Sequence, residues 1–192
     1  MASDIHIALV NGTAADFSLA QDLCSRFSNL TVLCYRSKVC DRSIFANARF
    51  LCAEYLFEDG YEEVCVTDID AVVVGKVSRL FPKATSNEDV FLKIQRPIRF
   101  PWYYAMGGFV YLRNGENARR LLRLFACYIS SMYAMDRSSY WYSDQSALFV
   151  SLLWGSISFV RLGNASFADF WHQVGASKVG VSEGKRKLQQ FS

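Results

Sequence analysis

The sequence predicts an α/β fold in which a central, mostly parallel mixed sheet is flanked by helices, and three observations carry that prediction. Short strand-like runs alternate with helical-period stretches over the first third of the chain, one apolar run ends in Asp68-Ile69-Asp70, and a long amphipathic helix follows a second set of strand-like runs. Alternating β and α units cover both faces of a sheet with helices, so its strands read as near-continuous apolar runs. With 192 residues, 52% hydrophobic and 20% charged, the chain is sized for one domain with a substantial core and is too apolar for a disordered segment. Residues 1–192 are accordingly read as a single domain with a basic C-terminal tail over about 179–192.

Residues His6 to Val10 form the first strand candidate, followed by the turn residues Asn11-Gly12-Thr13. Phe17, Ala20, Cys24 and Phe27 then recur at helical spacing. Thr31 to Tyr35 is a second strand. From Ser43, the positions Ile44, Phe45, Ala48, Leu51, Cys52 and Tyr55 make one face of a helix that Gly60 ends. Val64 to Thr67 is a buried strand leading into the acidic pair. Beyond it lie a short apolar run at Ala71 to Val74, a helical turn around Val77, Leu80 and Phe81, and a polar loop over Lys83 to Asp89. Phe91 to Ile94 and Gly108 to Leu112 read as strands. Asn114 is expected to cap a helix whose stripe is Ala118, Leu121, Leu122, Phe125, Ile129, Met132 and Tyr133. Another helix follows Asp144 through Leu148 and Leu152, and Ser158 to Leu162 is expected as the last strand.

A net charge of +3 is too small to argue for nucleic acid, and none is expected as a partner. The six cysteines, Cys24, Cys34, Cys40, Cys52, Cys65 and Cys127, show no CxxC spacing and read as small buried hydrophobes in a reducing compartment. The start, MASDIHIALV, has no charged leader followed by a long apolar stretch, and the greasiest segment is shorter than the ~20 residues that cross a bilayer. A cytoplasmic protein is expected. The tail, with Lys185-Arg186-Lys187 ahead of Leu188 and Phe191, is a candidate for weak peripheral contact with an anionic membrane.

Residues two apart in a strand project to one side, so Asp68 and Asp70 can face one ligand beyond the carboxyl end of a sheet strand. Two adjacent carboxylates repel unless a cation neutralises them, and their hard oxygens favour Mg2+ or Mn2+. A DxD alone is weak, since one arises by chance about 0.7 times in a chain of this length. The spacing HxxGxxK from His172 through Gly175 to Lys178 is more informative, because the chain has only two histidines. Neutral imidazole completes a metal site and tilts it toward Mn2+, Gly175 lets backbone approach a phosphate, and Lys178 can place positive charge on a departing diphosphate.

These residues resemble glycosyltransferase family eight, the group that contains glycogenin and bacterial lipooligosaccharide galactosyltransferases. The stretches that carry the resemblance are Ile7 to Gly12, Ala48-Arg49-Phe50, EEVCVTDIDAVVVGKVSRLF, YYAMGGFVYL, SDQSAL and WHQVGASK, together spanning about residues 5 to 178. The resemblance implies a GT-A, Rossmann-like fold. It also implies transfer of a hexose, with retention of configuration, from a nucleoside-diphosphate sugar (a UDP-sugar by analogy) to a glycan, lipid-linked or protein acceptor. By the same resemblance Asp68, Asp70 and His172 bind Mn2+, and Gly175 and Lys178 contact the diphosphate. Asn11 and Gly12 lie near base and ribose, Arg49 reaches toward the donor, Gly107 and Gly108 border the donor sugar, and Asp144 and Gln145 lie beneath the anomeric carbon.

Each of these residues has a plainer role beside the catalytic one. Arg49 can be a surface ion-pair partner, the two glycines can permit close packing of a strand against a helix, and Asp144 can cap the helix that follows it. Trp102, Tyr103 and Tyr104 can stack on an acceptor sugar or belong to the core. Two other functions fit the same motifs: a catalytically silent nucleotide- or glycan-binding module, and a metal-dependent nucleotidyltransferase or phosphohydrolase on a similar sheet.

Overall fold

The computed structural model describes residues 4–38, 42–68, 72–73, 87–94, 100, 104–135, 142–162 and 170–171. Along the chain they form β1 (Ile5–Val10), α1 (Ala14–Arg26), β2 (Leu30–Tyr35), α2 (Arg42–Glu58), β3 (Glu63–Thr67) and β4 (Val72–Val73). These are followed by β5 (Val90–Ile94), β6 (Ala105–Arg113), α3 (Glu116–Ala134), α4 (Ser143–Trp154), β7 (Val160–Arg161) and β8 (Phe170–Trp171). The expected turn at Val77 to Phe81, the start of the loop after it and the basic tail lie outside the described residues.

The chain divides into two compact units, Met1–Asp68 with Ala84–Leu162, and Ile69–Lys83 with Gly163–Ser192. In the first, β1 and β2 pair in parallel, and a four-stranded mixed sheet runs in the order β3-β6-β5-β7. Strand β6 is antiparallel to both β3 and β5, whereas β7 joins β5 in parallel. In the second unit β4 and β8 pair antiparallel, with Val72 opposite Trp171 and Val73 opposite Phe170. The expected last strand is reduced to the two residues of β7, and β8 follows it. Part of the reason is the end of α4: Ile157 still donates its amide to Leu152 at 3.1 Å, and Ser156 turns into the left-handed region at φ 47°.

Local chemistry explains most boundaries. Thr13 and Asp16 form a reciprocal capping box at the start of α1, and the hydrogen bonds from Thr13 hold the Asp16 carboxyl below its ordinary value. Helix α2 ends in a Schellman turn, in which Gly60 sits at φ 97° and the Tyr61 amide donates to Leu56. The predicted stripe of α3 is buried from Ala118 to Met132, but its cap is not Asn114. Gly115 is the N-cap residue and has no side chain to offer, and Asp89, just before β5, reaches across instead. Its Oδ2 accepts from the amides of Asn117 at 2.8 Å and Ala118 at 3.2 Å. Asn114 serves α2, donating to the carbonyls of Phe57 and Tyr61.

The main core lies between the four-stranded sheet and helices α2, α3 and α4. Phe50, Phe57, Val90, Leu92, Val110, Leu112, Leu121, Phe125 and Leu148 are buried there, and the Phe50 and Phe125 rings stand 4.6 Å apart. Each such side chain contributes about 1.5–3 kcal/mol through removal from water. Cys52 is buried, while Cys34 and Cys127 are exposed, so the cysteines are not uniformly core residues as expected. Tyr104 is half-buried, packing against the core and edge-on to Phe149, and Trp102 and Tyr103 lie outside the described residues. Among the described residues, no helix is long and apolar enough to cross a membrane.

Candidate active site

The site is built around one arginine. Arg49 lies on α2 beside the buried Phe50, with its guanidinium 5.2 Å from that ring. Its Nη1 pairs with Oδ1 of Asp68, which follows the last residue of β3, and its Nη2 donates to Oδ2 of Asp144 at 2.7 Å. The three side chains are 16%, 28% and 8% exposed in the order Arg49, Asp68, Asp144. One guanidinium therefore ties α2 to the carboxyl end of β3 and to the first turn of α4. Arg49 is thus an ion-pair partner, but not the surface one expected: its guanidinium lies in a largely desolvated cluster, where such contacts are stronger than on the surface.

Strand β6 supplies the floor. Its pairing with β5 shifts register between Leu92 and Lys93, from Leu92 opposite Val110 to Lys93 opposite Met106. The shift places Gly107, Gly108 and Phe109 in the irregularity between the two registers. On the other edge, the Asp68 amide donates to the Gly108 carbonyl at 3.4 Å, and Thr67 Oγ1 donates to the same oxygen at 3.3 Å. A Cβ on Gly107 would lie 2.9 Å from Asp144 Oδ2 and 3.2 Å from Arg49 Nη2. Gly107 is therefore required by close approach of the ion pair, which is the packing role weighed for it in the sequence.

Asp144 is not the cap of α4 weighed for it: Tyr142 is the N-cap residue, with no side-chain cap bond, and Asp144 lies in the first turn, where amide groups lack helical partners. Burial pushes its carboxyl up from the ordinary value, while Arg49 and the Gln145 amide pull it back. Gln145 is half-buried in the same turn. A polar network that the motifs did not reveal holds this turn in place. Asn47, fully buried on α2, donates to Ser143 Oγ at 3.1 Å and to Tyr133 Oη at 3.3 Å, and Ser43 shares the tyrosine hydroxyl. Its only sequence signal was an amide among the apolar positions Ile44, Ala48 and Leu51 on one helix face.

The structure therefore brings together Arg49, Asp68, Gly107, Gly108 and Asp144, with Gln145 alongside. Asn11 and Gly12 stand at the carboxyl end of β1. Asn11 adopts the left-handed conformation at φ 52° and accepts from the Ser37 amide at 2.8 Å, and Gly12 lies close against the Leu9 side chain. Asp70, His172, Gly175 and Lys178 lie outside the described residues. A cavity of about 110 Å³ opens between β1, α2 and β3, walled in part by His6, Arg49, Cys52, Cys65 and Thr67.

Among the described residues the cluster sets two carboxylates against one guanidinium, and Asp68 is the more exposed acid. Among the described residues no three His, Cys, Asp or Glu side chains are grouped to hold a metal. Two of the three expected ligands, Asp70 and His172, are not among those residues.

No protein-family model matches the sequence, and no curated protein matches it either. Solved structures do match. One is a glycosyltransferase involved in the glycosylation of the major capsid of PBCV-1, at 12% identity and a TM-score of 0.62, covering 97% of this chain and 99% of that one. Another is the glycosyltransferase GlyE of Streptococcus pneumoniae TIGR4, at 14% identity and a TM-score of 0.47, covering 100% of this chain and 52% of that one. A third is the catalytic domain of Drosophila β1,4-galactosyltransferase 7 in complex with xylobiose, at 13% identity and a TM-score of 0.41, covering 92% of this chain and 73% of that one. The first alignment runs nearly end to end along both chains and shows that this chain has the mixed α/β, GT-A type fold expected from its sequence.

Proposed function

We propose that the chain is a metal-dependent glycosyltransferase that moves a hexose from a nucleoside-diphosphate sugar, with uridine the favoured base, to a glycan, lipid-linked or protein acceptor. The observation that carries the reading is the convergence of Arg49, Asp68, Gly107 and Asp144 at the carboxyl end of β3, in a chain with the fold of a glycosyltransferase. In open α/β sheets that end of a strand is where ligands bind. Asp68, Asp70 and His172 are the proposed Mn2+ or Mg2+ ligands. For Asp70 and His172 alone, the β4–β8 pairing supports this, because Val72 follows Asp70 by two residues and Trp171 immediately precedes His172. When bound, the metal supplies Lewis-acid stabilisation of the diphosphate leaving group.

Lys178 and the backbone at Gly175 are the proposed contacts of that diphosphate, and Asn11 and Gly12 those of the nucleoside. Asp144 is the carboxylate nearest the reacting carbon in this reading, with Gln145 beside it and Gly107 and Gly108 along the sugar. Its burial matters, because a fixed negative charge in a desolvated site acts more strongly on developing positive charge than it would in water. Retention of configuration follows either from attack on the same face as the departing phosphate or from a covalent intermediate on Asp144.

The test is turnover of uridine, guanosine and thymidine diphosphate sugars by the purified chain, with and without Mn2+. Release of nucleoside diphosphate with the sugar joined to an acceptor or to water is expected, as is its loss in folded Asp68→Ala and His172→Ala variants. Undiminished activity in either variant would overturn the assignment. Titratable nucleotide binding without turnover would identify a silent binding module, and release of pyrophosphate or monophosphate a nucleotidyltransferase or phosphohydrolase.

A further inference from the structure

We infer that Asn47 is a positioning residue for Asp144: through Ser143 it fixes the first turn of α4, so that its loss slows sugar transfer without weakening donor binding. This deepens the proposed role of Asp144 and rests on it. The turn has little to hold it locally. Tyr142 is the N-cap residue of α4 and makes no side-chain cap bond, and the residue that precedes Asp144 is Ser143, only 2% exposed. The Ser143 hydroxyl accepts from Asn47 Nδ2 at 3.1 Å. Helix α2 therefore holds two successive residues of the turn, Ser143 through Asn47 and Asp144 through Arg49. Arg49 grips the carboxylate itself, whereas Asn47 grips the residue before it and acts on Asp144 through the backbone.

Asn47 is costly where it stands. It is fully buried on α2, and its Oδ1 has no hydrogen-bond partner among the described residues. An unpaired buried acceptor destabilises a fold, and a leucine, close to asparagine in size and shape, would avoid that cost. What leucine cannot do is bond α4 through Ser143 and α3 through Tyr133, which the one amide nitrogen does at 3.1 and 3.3 Å. The α4 arm ends one residue from Asp144, and the α3 arm ends on a tyrosine at the far end of another helix. The two arms can be cut separately.

Steady-state kinetics and native-state hydrogen exchange on the full chain test the role. The substrate is whichever of the uridine, guanosine and thymidine diphosphate sugars the wild type turns over fastest with Mn2+. Asn47→Leu, Ser143→Ala and the double variant are each expected to lower kcat by at least about 10-fold and to leave the donor KM within about twofold, because a displacement of ~1 Å near the reacting atoms costs on the order of 100-fold. The double variant should be no slower than the slower single one, since both side chains act through one bond. It removes donor, acceptor and orphaned oxygen together, so it should stay folded. Tyr133→Phe cuts the α3 arm alone and should keep the wild-type kcat. The Ser146 amide donates to the Tyr142 carbonyl at 2.9 Å across this turn. Its exchange should be about 10-fold faster in the three variants of the α4 arm and unchanged in Tyr133→Phe.

Wild-type kcat together with wild-type Ser146 exchange in the folded double variant would overturn the positioning role and leave Asp144 its place in the reaction. Faster exchange at an unchanged kcat would overturn the role and also show that Asp144 is not beside the reacting carbon. A raised donor KM at unchanged kcat, or an equal loss of kcat in Tyr133→Phe, would mean that the network acts on binding or on packing at large, and either result would overturn it. A wild type that turns over none of the three sugars would remove the proposed reaction and the positioning role with it.

Discussion

Arg49 Nη2 and Asp144 Oδ2 meet at 2.7 Å, and those same two atoms bound the space in which Gly107 would carry a side chain. A methyl group at Gly107 would stand 2.9 Å from the carboxylate oxygen, closer than Cβ atoms approach, and neither partner can retreat without loosening the bond. Gly107→Ala is therefore expected to destabilise the protein by about 1–3 kcal/mol in urea denaturation, the usual cost of overpacking. In an Asp144→Ala background the obstructing oxygen is gone and most of that cost should vanish. Equal costs in both backgrounds would show that the ion pair is not what excludes the side chain.

The Asn47 amide joins α2 to the turn that presents Asp144, through Ser143, and to α3 through Tyr133. Asn47→Ala takes the amide donor from the buried Ser143 hydroxyl and leaves the half-buried Tyr133 hydroxyl with Ser43, and about 1–3 kcal/mol of stability is expected to be lost. Tyr133→Phe removes one shared hydroxyl from the same network. A double-mutant cycle between the two sites is expected to give a coupling of at least about 0.5 kcal/mol, and strict additivity would disprove the network.

What was legible in the sequence follows from what its patterns encode. The stripe from Ala118 to Met132 repeats over about four turns and shows its buried face directly. The end of α2 was carried by one glycine, Gly60, whose φ of 97° is the reason for its presence. Arg49, Asp68, Gly107 and Asp144 were each picked out, and the family resemblance implied that they gather around one donor, but neither the ion pairs of Arg49 nor the register shift at Leu92/Lys93 has a signal in side-chain periodicity. Side-chain periodicity does not encode strand direction, so it could not reveal that β6 runs antiparallel to both neighbours. The two-residue strands β7 and β8 are too short to carry any period.

Capping of α3 from a distance makes a separate prediction. Asp89→Ala removes the acceptor of two amide groups, and a loss of about 1–2 kcal/mol is expected by analogy with N-cap deletions. Asp89→Asn keeps an oxygen in place and should cost less. Gly115→Ala should be at least as damaging as Asp89→Ala, because its Cβ would fall 2.2 Å from Asp89 Oδ2 and 2.7 Å from Asp89 Cβ. Asn114→Ala tests the other half of the argument. It should destabilise through the carbonyls of Phe57 and Tyr61 and show no coupling to Asp89→Ala; substantial coupling would mean that both residues cap α3.

The thiol of Cys65 is pushed up to about 12 by burial, and that of Cys52 is raised for the same reason. A group whose folded value exceeds its unfolded one stabilises the fold fully below the unfolded value and loses that contribution as pH rises toward the folded one. For Cys65 the window runs from about 9 to about 12. Within it each such thiol can lower stability by at most about 1.4 kcal/mol per pH unit. The urea midpoint should hold up to about pH 8 and fall beyond it as the unfolded thiols begin to ionise near their ordinary value. In Cys65→Ala, whatever its midpoint at neutral pH, the alkaline slope should be shallower. At pH 8 a thiol reagent should reach the exposed Cys34 and Cys127 well before Cys65, and fast native-state labelling of Cys65 would contradict the desolvated environment from which its shift arises.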